Sequence, residues 1–218
     1  MSPLIVLEKP GLYGFKPRFQ GLLRPCVGEL AALGVRANHV TAAACGLSVC
    51  FGVLLLTSGG PRWFAFLPAI LFVRMALNAA DGMLAREFAQ PTALGVYLNE
   101  LCDVVSDIFL YLPFAHLHAF SPFWVWDVVV LSVISEMAGA LAPMVGAGRR
   151  YDGPMGKSDR ALIFGAIGLW AGLAGGVPPL LASVLPKILC ALLAVTIANR
   201  VRTGLQEAET KEQRHAAM

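Results

Sequence analysis

Charge is scarce in this 218-residue chain: Asp, Glu, Lys and Arg together make up 14% of it. A soluble domain carries about a quarter of its residues as charge, so a water-facing globule of this composition is excluded. Apolar residues fill the deficit, at 57% of the total, and lipid is the surrounding that covers them. Cysteine is sparse too. Cys26, Cys45, Cys50, Cys102 and Cys190 are odd in number and mostly lie inside apolar runs. With no CxxC or Cys/His pairing, they form neither a disulfide framework nor a cysteine metal site, and read as small core residues. Net charge is only +3, too little to argue for nucleic acid as a partner. No cleavable leader is expected either. The opening stretch scatters Glu8, Lys9, Lys16, Arg18 and three prolines ahead of any long apolar run, so insertion rests on the spans themselves.

What is present is a series of long apolar runs, near 39–57, 63–85, 94–116, 122–145, 160–174 and 179–203. Breaks such as Ser58-Gly59-Gly60-Pro61 and Gly175-Gly176-Val177-Pro178 separate them. A spanning helix needs about 20 mostly apolar residues, so the pattern predicts an all-α polytopic membrane protein of six transmembrane helices. Ahead of them, Phe19, Leu22, Leu23, Val27 and Leu30 recur at near-helical spacing with Arg18 and Arg24 among them, which predicts an amphipathic helix lying in the interface. Three segments follow: 1–37 with the interfacial helix, 38–204 as the six-helix membrane domain, and 205–218 as a polar tail. If six spans alternate, fourteen of the Lys and Arg residues fall on one side and only Arg62 in a loop on the other. The positive-inside bias then puts both termini in the cytoplasm, at the inner membrane if the source is bacterial.

Two of the runs are unusual. The second carries Arg74, Asn78, Asp81 and Arg86; the third carries Asn99, Glu100, Asp103 and Asp107. Ionisable groups within a span are costly and rare unless they face a polar interior or do chemistry. Asn78 and Asp81 are three apart and share a helix face, while Asn99, Asp103 and Asp107 form a stripe at intervals of four. The short link between the two spans makes them antiparallel neighbours, so the oxygen-rich faces meet near the cytoplasmic ends. Such oxygens suit a hard cation like Mg²⁺, which favours sites shared with phosphate, and this points to phosphoryl-type transfer. A polar network that only ties the helices together is the plain alternative. Gly82 and Gly95 leave room for a flat ligand at the backbone or for close helix packing. Arg86 serves as a phosphate clamp or as a positive-inside anchor.

The run Asn78-Ala79-Ala80-Asp81-Gly82-Met83-Leu84-Ala85-Arg86, then eight residues, Gly95, three residues, Asn99, three residues and Asp103, resembles the CDP-alcohol phosphatidyltransferase signature D-x-x-D-G-x-x-A-R-x8-G-x-x-x-D-x-x-x-D. Every spacing matches, as do six of the eight defining residues. Arg36-Ala37-Asn38-His39-Val40-Thr41 is similar to that family's T-P-N-x-x-T element with its first two residues replaced. The resemblance implies transfer of a substituted phosphate from a CDP-linked donor, usually CDP-diacylglycerol, to a small alcohol with release of CMP, using Mg²⁺ or Mn²⁺. Asp81 is then a metal ligand, with Asn78, Asn99 and Asp103 at the other ligand positions. Asn38, Asn78, Asp81, Gly82, Ala85, Arg86 and Gly95 line the CDP pocket. Asp103 is the base that deprotonates the acceptor. Members are often dimers, so a homodimer is expected.

The first and third aspartates of the signature are Asn78 and Asn99 here. An amide offers a hard cation a carbonyl oxygen but no charge, so metal affinity drops or one ion binds in place of two. Asp107, one turn beyond Asp103, is the better candidate than Glu100 to restore charge. On the acceptor side, Lys157 follows Gly156 as in the family, and Arg200 closes the last span where members often have an arginine. Together they predict capture of a small polar alcohol or an anionic polyol phosphate. Positive-inside charge and lipid headgroups are the bland explanation for Arg149 and Arg150. Glu136, mid-span, needs a partner: Arg74, or a place lining the acceptor cavity. Two other functions stay open. An inactive relative would bind CDP-lipid without turnover, and an ion-coupled transporter would move ions without CMP release.

Overall fold

The computed structural model describes residues 16–58 and 60–216; expectations that fall on residues 1–15, including the charges at Glu8 and Lys9, lie outside them. Among the described residues seven α-helices follow one another: α1 Lys16–Ala32, α2 Ala37–Thr57, α3 Leu67–Glu87, α4 Ala93–Tyr111, α5 Pro122–Leu141, α6 Lys157–Ala174 and α7 Pro179–Ala216. Short 3-10 turns lead into α3 (Pro61–Phe66) and extend α4 (Leu112–His116) and α5 (Ala142–Val145). No strand occurs among the described residues.

The boundaries follow local chemistry. Proline stands in the first turn of α3 and of α5, where its missing N–H costs nothing. Thr92 caps α4 by accepting from the Gly95 N–H at 2.8 Å. Gly175 (φ 75°) ends α6 in the left-handed conformation that a side chain disfavours. Asp159 accepts from the Gly156 N–H at 2.9 Å and secures the first turn of α6.

Among the described residues four segments are long and apolar enough to cross a membrane: Ala37–Thr57, Pro61–Glu87, Pro122–Val145 and Pro179–Arg214. The other two long helices, α4 and α6, match the remaining expected spans in position. They are more polar because α4 carries Glu100, Asp103 and Asp107, and α6 carries Lys157, Asp159 and Arg160. Helix α7 runs straight on through the polar stretch at 205–216. At about 1.5 Å per residue it is roughly 57 Å long, nearly twice the hydrocarbon thickness of about 30 Å, so one end must stand clear of it. That end is tied down: Glu207 accepts from the Gly148 N–H (3.1 Å) and from Arg150 (2.7 Å), and Lys211 donates to the Gly146 carbonyl (3.0 Å).

The apolar core gathers at one end of the bundle. Tyr111 and Phe164 stack at 4.1 Å between ring centroids, and Phe114 meets Phe64 and Phe164 edge-on. Gly52 lets α2 lie directly on the α4 backbone at Phe109, where a β-carbon would overlap it. Helix α1 turns Val27, Leu23 and Ala31 onto Val40, Ala80, Met83 and Leu84 of α2 and α3, Arg24 pairs with Glu87 at the end of α3 at 3.0 Å, and Leu22 is exposed. Phe72, Leu101, Trp126 and Leu173 are exposed around the bundle, as suits a lipid-facing surface.

Candidate functional site

At the other end of the bundle the packing changes character. Helix α2 packs closely on both α3 and α4, but α3 and α4 reach each other through long polar side chains. The result is a cleft. Asn78 Nδ2 donates to Asp103 Oδ1 at 2.9 Å, and Arg74 Nη2 donates to the Asp103 carbonyl at 3.0 Å and to Oδ1 at 3.4 Å. From α6, the Lys157 ammonium lies 2.5 Å from the same Oδ1. Three nitrogen donors therefore converge on one carboxylate oxygen, Oδ1, and leave Oδ2 facing the cleft.

Asp81 stands on the α2 side of the cleft. It is buried, and its Oδ2 accepts from Thr41 Oγ1 at 2.7 Å. Thr41 belongs to the element at the start of α2 that the sequence singles out, yet its role as the Asp81 donor depends on helix placement. Nearby, Asn38 Nδ2 donates to Thr92 Oγ1 at 3.3 Å, and the Ala37 N–H donates to Gln90 Oε1 at 2.9 Å. These bonds clamp the start of α2 to the α3–α4 link. A β-carbon on Gly95 would come within 2.8 Å of Asn38 Oδ1, and one on Gly82 within 3.1 Å of the Arg86 guanidinium. Both glycines thus keep polar groups against bare backbone. Asn99 and Ala85 are half-buried on the same helices, and Arg86 is exposed.

Asp107, expected as a further source of metal charge, is placed otherwise. Its Oδ1 accepts from Arg74 at 2.6 Å and its Oδ2 from Arg160 at 2.8 Å. All three side chains are buried, so Asp107 is the counter-ion of two guanidiniums. Glu136 does not pair with Arg74. It meets Arg160 at 2.9 Å, Arg200 at 3.4 Å and Arg149 at 3.5 Å. Arg149 also pairs with Glu100. Arg200 further donates to the Ser135 carbonyl, and through Nε to the Asp152 carbonyl at 3.3 Å. Gly139 makes room for this: a β-carbon there would lie 2.5 Å from the Arg150 carbonyl and 3.4 Å from Arg200 Nη1. Arg160 is not among the site residues read from the sequence; the clue to its burial is its place at the head of the apolar run 160–174, one turn into α6.

Beyond the bundle, the 148–153 loop is fastened to α7. Asp152 accepts from Arg150 at 2.7 Å and from Thr203 at 3.0 Å. Burial pushes its carboxyl up, but those two hydrogen bonds outweigh it and hold Asp152 below the usual carboxylate range. Gly153 (φ 119°) lies directly on Thr196, leaving no space for a β-carbon.

Among the described residues no group of three His, Cys, Asp or Glu side chains is gathered to hold a metal ion. The cleft nonetheless offers oxygens of the kind a hard cation takes: the carboxylates of Asp81 and Asp103 and the amide of Asn78, with Asn99 half-buried on α4. The Lys157 ammonium on Asp103 marks where positive charge is already favoured. Two carboxylates fit one divalent ion better than two.

Residues 35–198 match the sequence model of the family described as CDP-alcohol phosphatidyltransferase. The chain is 48% identical over 197 residues to inner membrane protein YnbA of Escherichia coli K12, covering 89% of this chain and 96% of that protein. It is 29% identical over 174 residues to the phosphatidylinositol phosphate synthase of Corynebacterium glutamicum, covering 77% of each. Two crystal structures of the Mycobacterium tuberculosis phosphatidylinositol phosphate synthase, one with CDP-DAG bound and one in complex with manganese and citrate, match with a TM-score of 0.69. They cover 83% of this chain, and 92% and 88% of theirs, at 22% identity. That likeness concerns the fold.

Proposed function

The chain belongs to the CDP-alcohol phosphatidyltransferase family, and from that footing we propose that it moves a phosphatidyl group from CDP-diacylglycerol to the hydroxyl of a small polar acceptor, releasing CMP. The observation that carries this is the convergence of Asn78, Arg74 and Lys157 on Asp103 Oδ1, in a cleft faced by the buried Asp81. Asp103 Oδ2 takes the acceptor's proton as the hydroxyl oxygen bonds to the phosphatidyl phosphorus. The bond from that phosphorus to the bridging oxygen breaks, and CMP leaves with the electron pair. Lys157 and Arg74 orient Asp103 for that transfer. Asn38, Gly82, Ala85, Arg86 and Gly95 form the nucleotide end, where the bare backbone of the glycines admits a flat base. Lys157 and Arg200 border the acceptor end.

Asp81 and Asp103, with the amide oxygens of Asn78 and Asn99, would hold one Mg²⁺ or Mn²⁺. When bound, such an ion neutralises charge on the diphosphate as it departs. Asp107 serves instead to hold Arg74 and Arg160. Six spans, with α4 and α6 shielding their polar faces inside the bundle, put the cleft and both termini on the cytoplasmic side, and α1 lies in the interface. A second reading has one observation in its favour: with Asn78 and Asn99 in place of acids, the chain would bind CDP-lipid without turning it over.

The experiment is CMP release by protein purified into lipid, with CDP-diacylglycerol, Mg²⁺ or Mn²⁺ and a panel of alcohols. Metal-dependent CMP release that disappears in Asp103→Asn supports the transferase. CDP-diacylglycerol binding with no CMP from any acceptor makes the chain a binding protein, and ion-coupled uptake without CMP release makes it a transporter.

A further inference from the structure

The cations on the acceptor side are already spoken for. Arg149 pairs with Glu100 and Glu136, Lys157 with Asp103, and Arg160 with Asp107 and Glu136. Arg200 meets Glu136 at 3.4 Å and spends its other donors on the Ser135 and Asp152 carbonyls. Arg74 completes the set against Asp103 and Asp107. Those five cations face five acids once Asp81 is counted with Glu100, Asp103, Asp107 and Glu136.

The acceptor side is therefore neutral before any ligand arrives, with Arg86 standing apart and exposed at the nucleotide end. A single divalent ion adds two positive charges, and the donor's diphosphate removes them. A phosphate monoester on the acceptor brings about −1.5 to −2 more at pH 7, with no uncompensated cation on the acceptor side to meet it. Buried charge without a partner is strongly disfavoured. Glu136 is the pivotal acid because it touches three arginines at once and is only 7% exposed, too enclosed to swing aside for an incoming anion.

We propose that Glu136 sets acceptor specificity, so that the site takes a hydroxyl compound of no net charge and rejects its phosphorylated counterpart. This rests on the transferase reading above, and it narrows the sequence expectation, which admits a polyol phosphate. Glu136 touches Arg160, Arg200 and Arg149 and is a positioning residue: it acts by using up their charge.

The test compares CMP release with matched acceptor pairs, glycerol against glycerol 3-phosphate and inositol against inositol 1-phosphate. The wild type should favour the uncharged member of the active pair, and Glu136→Gln should shift that preference toward the phosphorylated member by roughly tenfold or more, as expected when a charge-assisted contact is freed. Glu136→Asp, which keeps the charge, should keep the wild-type ratio. A wild type that prefers the phosphorylated member overturns the proposal while leaving the transferase intact. A folded Glu136→Gln with an unchanged ratio overturns the role of Glu136. No CMP with either member of these pairs or with any other alcohol of the panel overturns the transferase reading and this inference with it. The wild-type ratio needs no variant, so it decides the charge rule even where Glu136→Gln fails to fold.

Discussion

Lys157 Nζ and Asp103 Oδ1 stand 2.5 Å apart, across the gap between α6 and α4. Asn78 approaches the same oxygen from α3 at 2.9 Å. One carboxylate oxygen thus joins three helices, and the other is left to act on a ligand. Lys157→Met removes one charged donor and leaves Asp103 less well oriented. We expect kcat for CMP release to fall roughly tenfold, the order of one charge-assisted hydrogen bond, with KM for CDP-diacylglycerol little changed. Steady-state kinetics that showed KM rising instead would move Lys157 to the donor side of the cleft.

Asn78 and Asn99 should limit metal binding. Asn78→Asp with Asn99→Asp adds two negative charges to an oxygen-lined cleft, which strengthens hard-cation binding. The half-saturating Mn²⁺ concentration should drop by about tenfold or more, as expected for added charge at a few ångströms. Without metal, Asn78→Asp places a carboxylate against Asp103, so the melting temperature should fall and be restored by Mn²⁺. Titration of Mn²⁺ by electron paramagnetic resonance, alongside thermal melts, reads both effects.

Asp107 holds two buried guanidiniums, Arg74 at 2.6 Å and Arg160 at 2.8 Å. Asp107→Asn leaves both short of negative charge inside the bundle, a change that costs about 3–5 kcal/mol when a buried pair loses one partner. Unfolding in mixed micelles should show a loss of that order. A loss under about 1 kcal/mol, the range of exposed pairs, would mean that water reaches Arg74 and Arg160.

The loop at 148–153 should loosen in acid. Asp152 is held below its ordinary range in the folded protein, so its contribution is present above the unfolded value of about 3.9 and is lost as pH falls through the folded value. Asp152→Asn should melt below the wild type at neutral pH, and the two curves should begin to converge as pH falls below about 4. A gap that stayed constant down to pH 3 would show that Asp152 matters through shape and not charge.

Much of the site was legible in the sequence because its residues repeat at helical intervals. Asn78 with Asp81, and Asn99 with Asp103, sit on α3 and α4, and the spacing from Asp81 to Asp103 carries the family. Apolar run lengths marked where the long helices lie, since lipid demands a continuous hydrophobic stretch whatever the neighbours do. Run length gave no warning that α7 continues to Ala216, because the polar residues there are held by Gly146, Gly148 and Arg150, far away in sequence.

Partner choice was decided by tertiary structure alone. Asp103 and Asp107 lie on one stripe of one helix, so periodicity makes them equivalent, yet Asp107 is engaged by Arg74 and Arg160 while Asp103 keeps an oxygen free. Arg160 counts in sequence with the one-sided surface charge and Arg200 reads as an acceptor ligand, but both are almost wholly buried against Glu136. By itself the sequence determined membrane character, helix periodicity and family, since those depend on composition and local spacing. Which acid neutralises which cation depends on distances between helices remote in the chain, and electrostatic energy inside a low-dielectric bundle is governed by those distances.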